Sequence, residues 1–175
     1  MVNAIKTELK SYSNAEKAAF FPYFFKTGKG EYGEGDKFIG VTVPNQRIVA
    51  KKYFQSISFN DLKEMLSSKI HEHRLCALIM LVYKFEKSKF NNEKEEIVEF
   101  YLKNKKFVNN WDLVDLSCYK ILGRYCFDNQ KDEVLIQLAN EEDLWSKRIA
   151  IVSTMYHVKK GKFELTKTLV LKNFH

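Results

Sequence analysis

Along most of this chain apolar residues return every three or four positions, the spacing of one helix face, and little interrupts them. Only two prolines and seven glycines occur, and five of those glycines fall between Gly28 and Gly40. The pattern predicts a first helix from about Val2 to Phe25. A second begins near Pro44, which suits a first helical position, and carries Ile48, Val49 and Tyr53 on one face. Further helices are predicted for "FNDLKEMLSS", "HEHRLCALIMLVYKFEKS", "NEKEEIVEFYLKNKKF", "NWDLVDLSCYKILGRYC", "QKDEVLIQLAN", "DLWSKRIAIVSTMYHVKKG" and "FELTKTLVLKNF". The one β-like run is "KFIGVTV". The expected fold class is all-α.

The more apolar helices recur at a long period. Arg74, Trp111 and Arg148 are evenly spaced by about 37 residues, and each lies at the opening of such a helix. Two helices per unit at this period fit a HEAT-like helical-repeat solenoid, with a compact helical bundle as the alternative. The whole of residues 1–175 is expected to form one such domain. Four residues beyond each repeat position stand Leu78, Asp115 and Val152. An acid therefore occupies an aliphatic place, and a buried, unpaired carboxylate costs several kcal/mol or shifts its pKa and neutralises itself. Either the first turn is exposed and Asp115 pairs with a nearby lysine or backbone amide, or the face is a working surface that displays it. Trp111, four residues earlier, shares that face.

Charge narrows the partners. Lysine and arginine number 29 against 22 acids, a formal +7, which favours a polyanion such as nucleic acid or an anionic membrane surface. No stretch approaches the roughly 18 apolar residues of a membrane span, and the N-terminal segment lacks the apolar centre of a signal peptide. A cytoplasmic protein is expected. Cys76, Cys118 and Cys126 have no CxxC spacing, and His71 and His73 are two apart, pointing to opposite sides of a helix. No metal site and no cofactor are expected.

Local motifs add detail. Asn109 or Asn110 suits an N-cap, and Asp112, three residues after Asn109, reads as part of a capping box. Arg148 at the start of an apolar helix suits forked phosphate contact, with a salt bridge to Glu141 or Glu142 as the structural alternative. The glycine-rich "KTGKGEYGEGDKFIG" lacks the GxxxxGK[ST] and GxGxxG patterns and reads as a connecting loop. Its Lys26, Lys29 and Lys37 are candidates for backbone phosphate contact. There is no GxSxG and no HExxH.

Three segments, "FFKTGKGEYGEGDKFIGVTVPNQR", "NNWDLVDLS" and "LWSKRIAIVSTMYHVKKGKFE", together resemble the DNA alkylation repair (AlkD-like) DNA glycosylase family. The resemblance runs through nearly the whole chain in order. It implies a HEAT-like solenoid whose concave basic face grips double-stranded DNA, and a monofunctional glycosylase that excises N3- and N7-alkylated purines without flipping them. The WDxVD motif of the family falls on Trp111, Asp112, Val114 and Asp115. By that resemblance Asp115 is the catalytic carboxylate and Trp111 presses on the deoxyribose of the lesion. The LWxxR motif falls on Trp145 and Arg148, implying DNA contact by Arg148, with Trp145 and Lys147 beside it. A lesion-side aromatic of the N-terminal helices corresponds to Phe24 or Phe25, next to Lys26. Family members usually run further, through another helix pair with a second lesion-facing tryptophan, so the chain is expected to lack that pair. A monomer bound to alkylated duplex DNA is the expected working form. A non-catalytic HEAT-like DNA-binding module and a protein-binding solenoid are the rival readings.

Overall fold

The computed structural model describes residues 1–173. These residues form α1 (Val2–Ser11), α2 (Ala15–Phe24), α3 (Val43–Tyr53), α4 (Phe59–Leu66), α5 (His71–Lys87) and α6 (Asn91–Asn104). They continue through α7 (Trp111–Cys118), α8 (Arg124–Asn129), α9 (Asp132–Ala139), α10 (Leu144–Ser153), α11 (Met155–Lys159) and α12 (Glu164–Lys172). A 3-10 turn, Lys105–Phe107, follows α6, and a π-helical turn, Tyr119–Gly123, joins α7 to α8. The expected all-α class holds. The β-like run leaves one isolated bridge, between Lys37 and Ile70. Phe174, the end of the last predicted helix, lies outside the described residues.

The single first helix of the sequence reading is two helices. The Asn14 side chain accepts the Lys17 N–H at 2.9 Å and starts α2 afresh. The backbone N–H of Asn14 meanwhile donates to the carbonyl of Ile39, so the loop before α3 crosses at the break. Gly40 makes that crossing possible. Its φ is +77°, and a Cβ there would stand 2.0 Å from the Asn14 carbonyl oxygen. In α3 the pattern is also corrected: Ile48 is exposed, while Val49 and Ala50 turn inward. Ser58 and Asp61 build a full capping box at α4.

The helices pack in two rows. In one, α3 meets α5, α5 meets α7, and α7 meets α10. In the other, α4 meets α6, α6 meets α8, and α8 meets α9. The strongest cross-links between rows are α4 with α5 and α9 with α10. Helix α5 is the centre of the packing, with every residue from His71 to Val82 buried. A helix apolar along most of its circumference is what such a position requires. Its first turn, however, is His71, Glu72, His73 and Arg74, four polar residues that need partners inside the protein. Glu72 finds them in the backbone N–H groups of Ile39, Gly40 and Val41, which ties the loop to α5.

The three evenly spaced positions sit at different depths. Trp111 is the first residue of α7, whereas Arg74 and Arg148 lie a full turn inside α5 and α10. Asp115 consequently faces outward at the depth where α10 carries Arg148. The π turn after α7 brings Gly123 against α10, where an added Cβ would stand 2.1 Å from the Ser153 carbonyl oxygen. Backbones in such contact leave no room for a side chain.

Candidate functional site

The site begins with the way α7 starts. Asn110, fully buried, accepts the Trp111 N–H on its side-chain oxygen at 2.8 Å. Asn110, and not Asn109, is therefore the N-cap, and Asp112 has a different role from the capping box expected of it. One of its oxygens accepts the Leu113 N–H at 2.8 Å. The other accepts from His71 Nε2 at 2.7 Å. His71 Nδ1 stands 2.9 Å from Asp36, which also pairs with Arg74, and Arg74 Nη1 donates to Asn109 Oδ1 at 2.5 Å. Two acids and two bases thus form a buried, charge-balanced cluster under the first turn of α7.

Burial by itself drives the His71 pKa down and is the largest influence on it. The hydrogen bonds to Asp112 and Asp36 overcome that penalty, and the net displacement is upward. An imidazolium donating from both nitrogens fits this setting, because each faces a carboxylate.

Above the cluster lies an aromatic stack. Phe25 stacks on Trp111 at 5.5 Å and on Phe38 at 5.2 Å, and both phenyl rings lie 4.9 Å from the His71 ring. Phe24, half exposed, meets Trp111 edge-on at 5.8 Å. The Trp111 indole is therefore held on two sides and open on a third.

That open side faces a cavity of about 550 Å³, lined among others by Tyr32, Trp111, Trp145, Lys147 and Arg148. Tyr32 meets Trp145 edge-on at 5.7 Å. Asp115 enters through Arg148, whose Nε and Nη2 donate to its two oxygens at 3.0 and 2.7 Å. Both side chains remain about two-fifths exposed. The hydrogen bond to Asp115 is the main reason that the Arg148 pKa is raised further. Glu141, one alternative partner considered for Arg148, is taken by Lys105 instead.

The structure thus brings Trp111, Trp145, Lys147 and Arg148 to one cavity, joins Asp115 to it, and sets Phe24 beside Trp111. Lys26 is exposed at the end of α2, with its ammonium 5.5 Å from the centre of the Tyr23 ring and outside the cavity lining. Sequence reasoning missed Tyr32, Asp36, Phe38, His71 and Arg74. One signal was available for His71. A basic residue in the first turn of a helix opposes the helix dipole and calls for a nearby acid. The matching acid, 35 residues away, could not be chosen from spacing alone.

The open cavity of this helical protein thus sets an indole and Lys147 beside Arg148, which is forked onto Asp115, in a lining completed by apolar side chains such as Leu144, Ile151 and Val152. The family model for DNA alkylation repair enzymes matches residues 5–175, and the chain belongs to that family. Membership makes DNA repair its role and DNA its substrate class. Among curated proteins no match is found. Among the described residues no helix is long and apolar enough to cross a membrane.

Proposed function

We propose that the protein is a monofunctional DNA glycosylase that hydrolyses the N-glycosidic bond of positively charged N3- or N7-alkylated purines in duplex DNA. The observation that carries the reading is that Trp111 and Arg148 line one open cavity and that Arg148 holds Asp115 there by a forked pair of hydrogen bonds. The two rows of helices are read as a HEAT-like solenoid, one domain over residues 1–175, that works as a monomer.

Alkylation at N3 or N7 puts a positive charge on the purine and makes it a good leaving group. The bond between the base nitrogen and C1′ breaks with its electron pair going to the base, which leaves neutral. The sugar becomes an oxocarbenium-like cation, and a water oxygen then bonds to C1′ and gives up a proton. A carboxylate placed beside the sugar stabilises the cation and orients that water. Asp115 is the residue assigned this role. The indole face of Trp111 adds cation–π attraction to the charged base and to the developing charge on the sugar.

Arg148 links binding to chemistry. A backbone phosphate matches the guanidinium fork as well as a carboxylate does. When DNA takes the fork, Asp115 loses its partner and its negative charge turns to the sugar. Lys147 and Trp145 border the same phosphate path, Phe24 flanks the lesion beside Trp111, and Lys26 meets the backbone at the rim.

Release of 7-methylguanine from methylated duplex tests this reading. Wild-type protein is expected to release the base and Asp115→Asn is expected not to; equal release by both overturns it. One observation favours the non-catalytic DNA-binding reading, namely that Asp115 is already neutralised by Arg148. Salt-sensitive duplex binding with no base release from any lesion would establish that reading.

A further inference from the structure

We propose that His71 is a positioning residue for this site, acting through Trp111 and the first turn of α7; the inference rests on the glycosylase reading. His71 grips that turn by two routes. Its Nε2 donates to Asp112, the residue next to Trp111, at 2.7 Å. Its ring lies 4.9 Å from Phe25, which in turn stacks on the Trp111 indole at 5.5 Å. The other end of the imidazole is anchored as well, because Nδ1 faces Asp36 at 2.9 Å and Asp36 is held by Arg74.

Three separate parts of the chain therefore meet at one ring. They are the loop before α3, the first turn of α5 and the first turn of α7. His71 is almost wholly buried and touches none of the cavity, so it has no route to a substrate of its own. What it does control is the plane of the indole and the direction in which α7 leaves its first turn. Asp115 lies one turn further along that helix. A tilt of α7 moves both Trp111 and Asp115 relative to the sugar.

Such a device loses rate more than binding. Duplex DNA is held by charges around the cavity, and these are untouched when His71 is changed. Misplacement by about 1 Å of groups that must meet a transition state costs about 100-fold in rate. His71→Gln keeps an amide that bonds to one acid but loses the charge and the second donor. Asp36→Asn keeps its size and frees the far nitrogen of the ring from its anion.

The test measures single-turnover base release and duplex affinity for wild type, His71→Gln, Asp36→Asn and Asp115→Asn. In parallel, acrylamide quenching is measured in a Trp145→Phe background, where Trp111 is the only tryptophan. His71→Gln is expected to slow release by about 100-fold. Its affinity for duplex is expected to stay within about twofold of wild type. Trp111 is expected to become more quenchable. Asp36→Asn is expected to move both readouts in the same direction, and it carries the test if His71→Gln does not fold. Wild-type release rates and unchanged quenching in both variants, with Asp115→Asn inactive, would overturn the role of His71 and leave the glycosylase reading standing. If wild type itself releases no base, the glycosylase reading fails, and unchanged quenching would then overturn the positioning role separately.

Discussion

Arg148 reaches across from α10 to α7 and clasps Asp115 with two parallel hydrogen bonds, of 3.0 and 2.7 Å, over a sequence separation of 33 residues. Each side chain keeps about two-fifths of its surface in solvent. A pair so exposed contributes at most about 1 kcal/mol to stability, because water and salt screen it. Its value to the protein lies in where it holds the two charges.

Asp115→Asn should therefore separate folding from activity. Urea denaturation is expected to show a loss of no more than about 1 kcal/mol. Base release from methylated duplex is expected to fall by about 100-fold or more, since a preorganised charge at the transition state is removed. A variant that unfolds readily and loses activity in proportion would contradict this.

Arg148→Gln should weaken duplex binding and change its salt dependence. Removing one phosphate contact lowers the slope of log affinity against log salt by about 1. Titrations of duplex at several salt concentrations read that slope directly. An unchanged slope would mean that Arg148 never leaves Asp115 for the DNA.

His71 and His73 should give stability two opposite pH dependences. His71 binds its proton more tightly in the folded protein, facing Asp36 and Asp112 with Arg74 alongside. Its stabilisation is complete below the unfolded value of about 6.5 and is lost as pH rises through the folded value. His73 behaves in reverse. Burial, with a smaller contribution from Lys6, lowers its pKa from 6.5 to about 4, so protonation on acidification opposes the fold. Stability from this group is present above pH 6.5 and declines towards pH 4, by on the order of 3 kcal/mol. Urea midpoints against pH should lose the alkaline decline in His71→Gln and the histidine part of the acidic decline in His73→Gln.

Gly123→Ala should be among the most damaging single-methyl additions in the chain. The new carbon would meet the Ser153 carbonyl at 2.1 Å, backbone against backbone, and α10 would have to withdraw. A loss of about 3 kcal/mol in urea denaturation is expected. Gly161→Ala, with φ +75° and open space around it, is expected to cost only about 1 kcal/mol.

Helical periodicity made nearly every helix after residue 43 legible, because a buried stripe repeats whatever it packs against. The break at Asn14 was not legible. It depends on a loop 25 residues further on, Ile39 and Gly40, pressing into the first helical segment. Asp115 was visible as an anomaly, and Arg148 as a cation at a helix start. That the two belong to each other follows only once α7 and α10 pack side by side. Asp112 was misread for the same reason. Its nearest explanation in sequence was a cap, while its actual partner, His71, lies 41 residues away.

The Asp36–His71–Asp112 linkage also carries a lesson about synthesis. A chain emerging from its N-terminus completes the loop, then α5, then α7, and only afterwards α10. The ring of His71 acquires its second carboxylate just as Trp111 appears, and Asp115 then waits for the emergence of α10 before Arg148 can cover it. A nascent protein thus passes through a stage with Asp115 made and Arg148, its partner in the folded chain, not yet made. Ribosome-bound or prematurely terminated products of that stage would carry the acid without the guanidinium that clasps it in the finished fold.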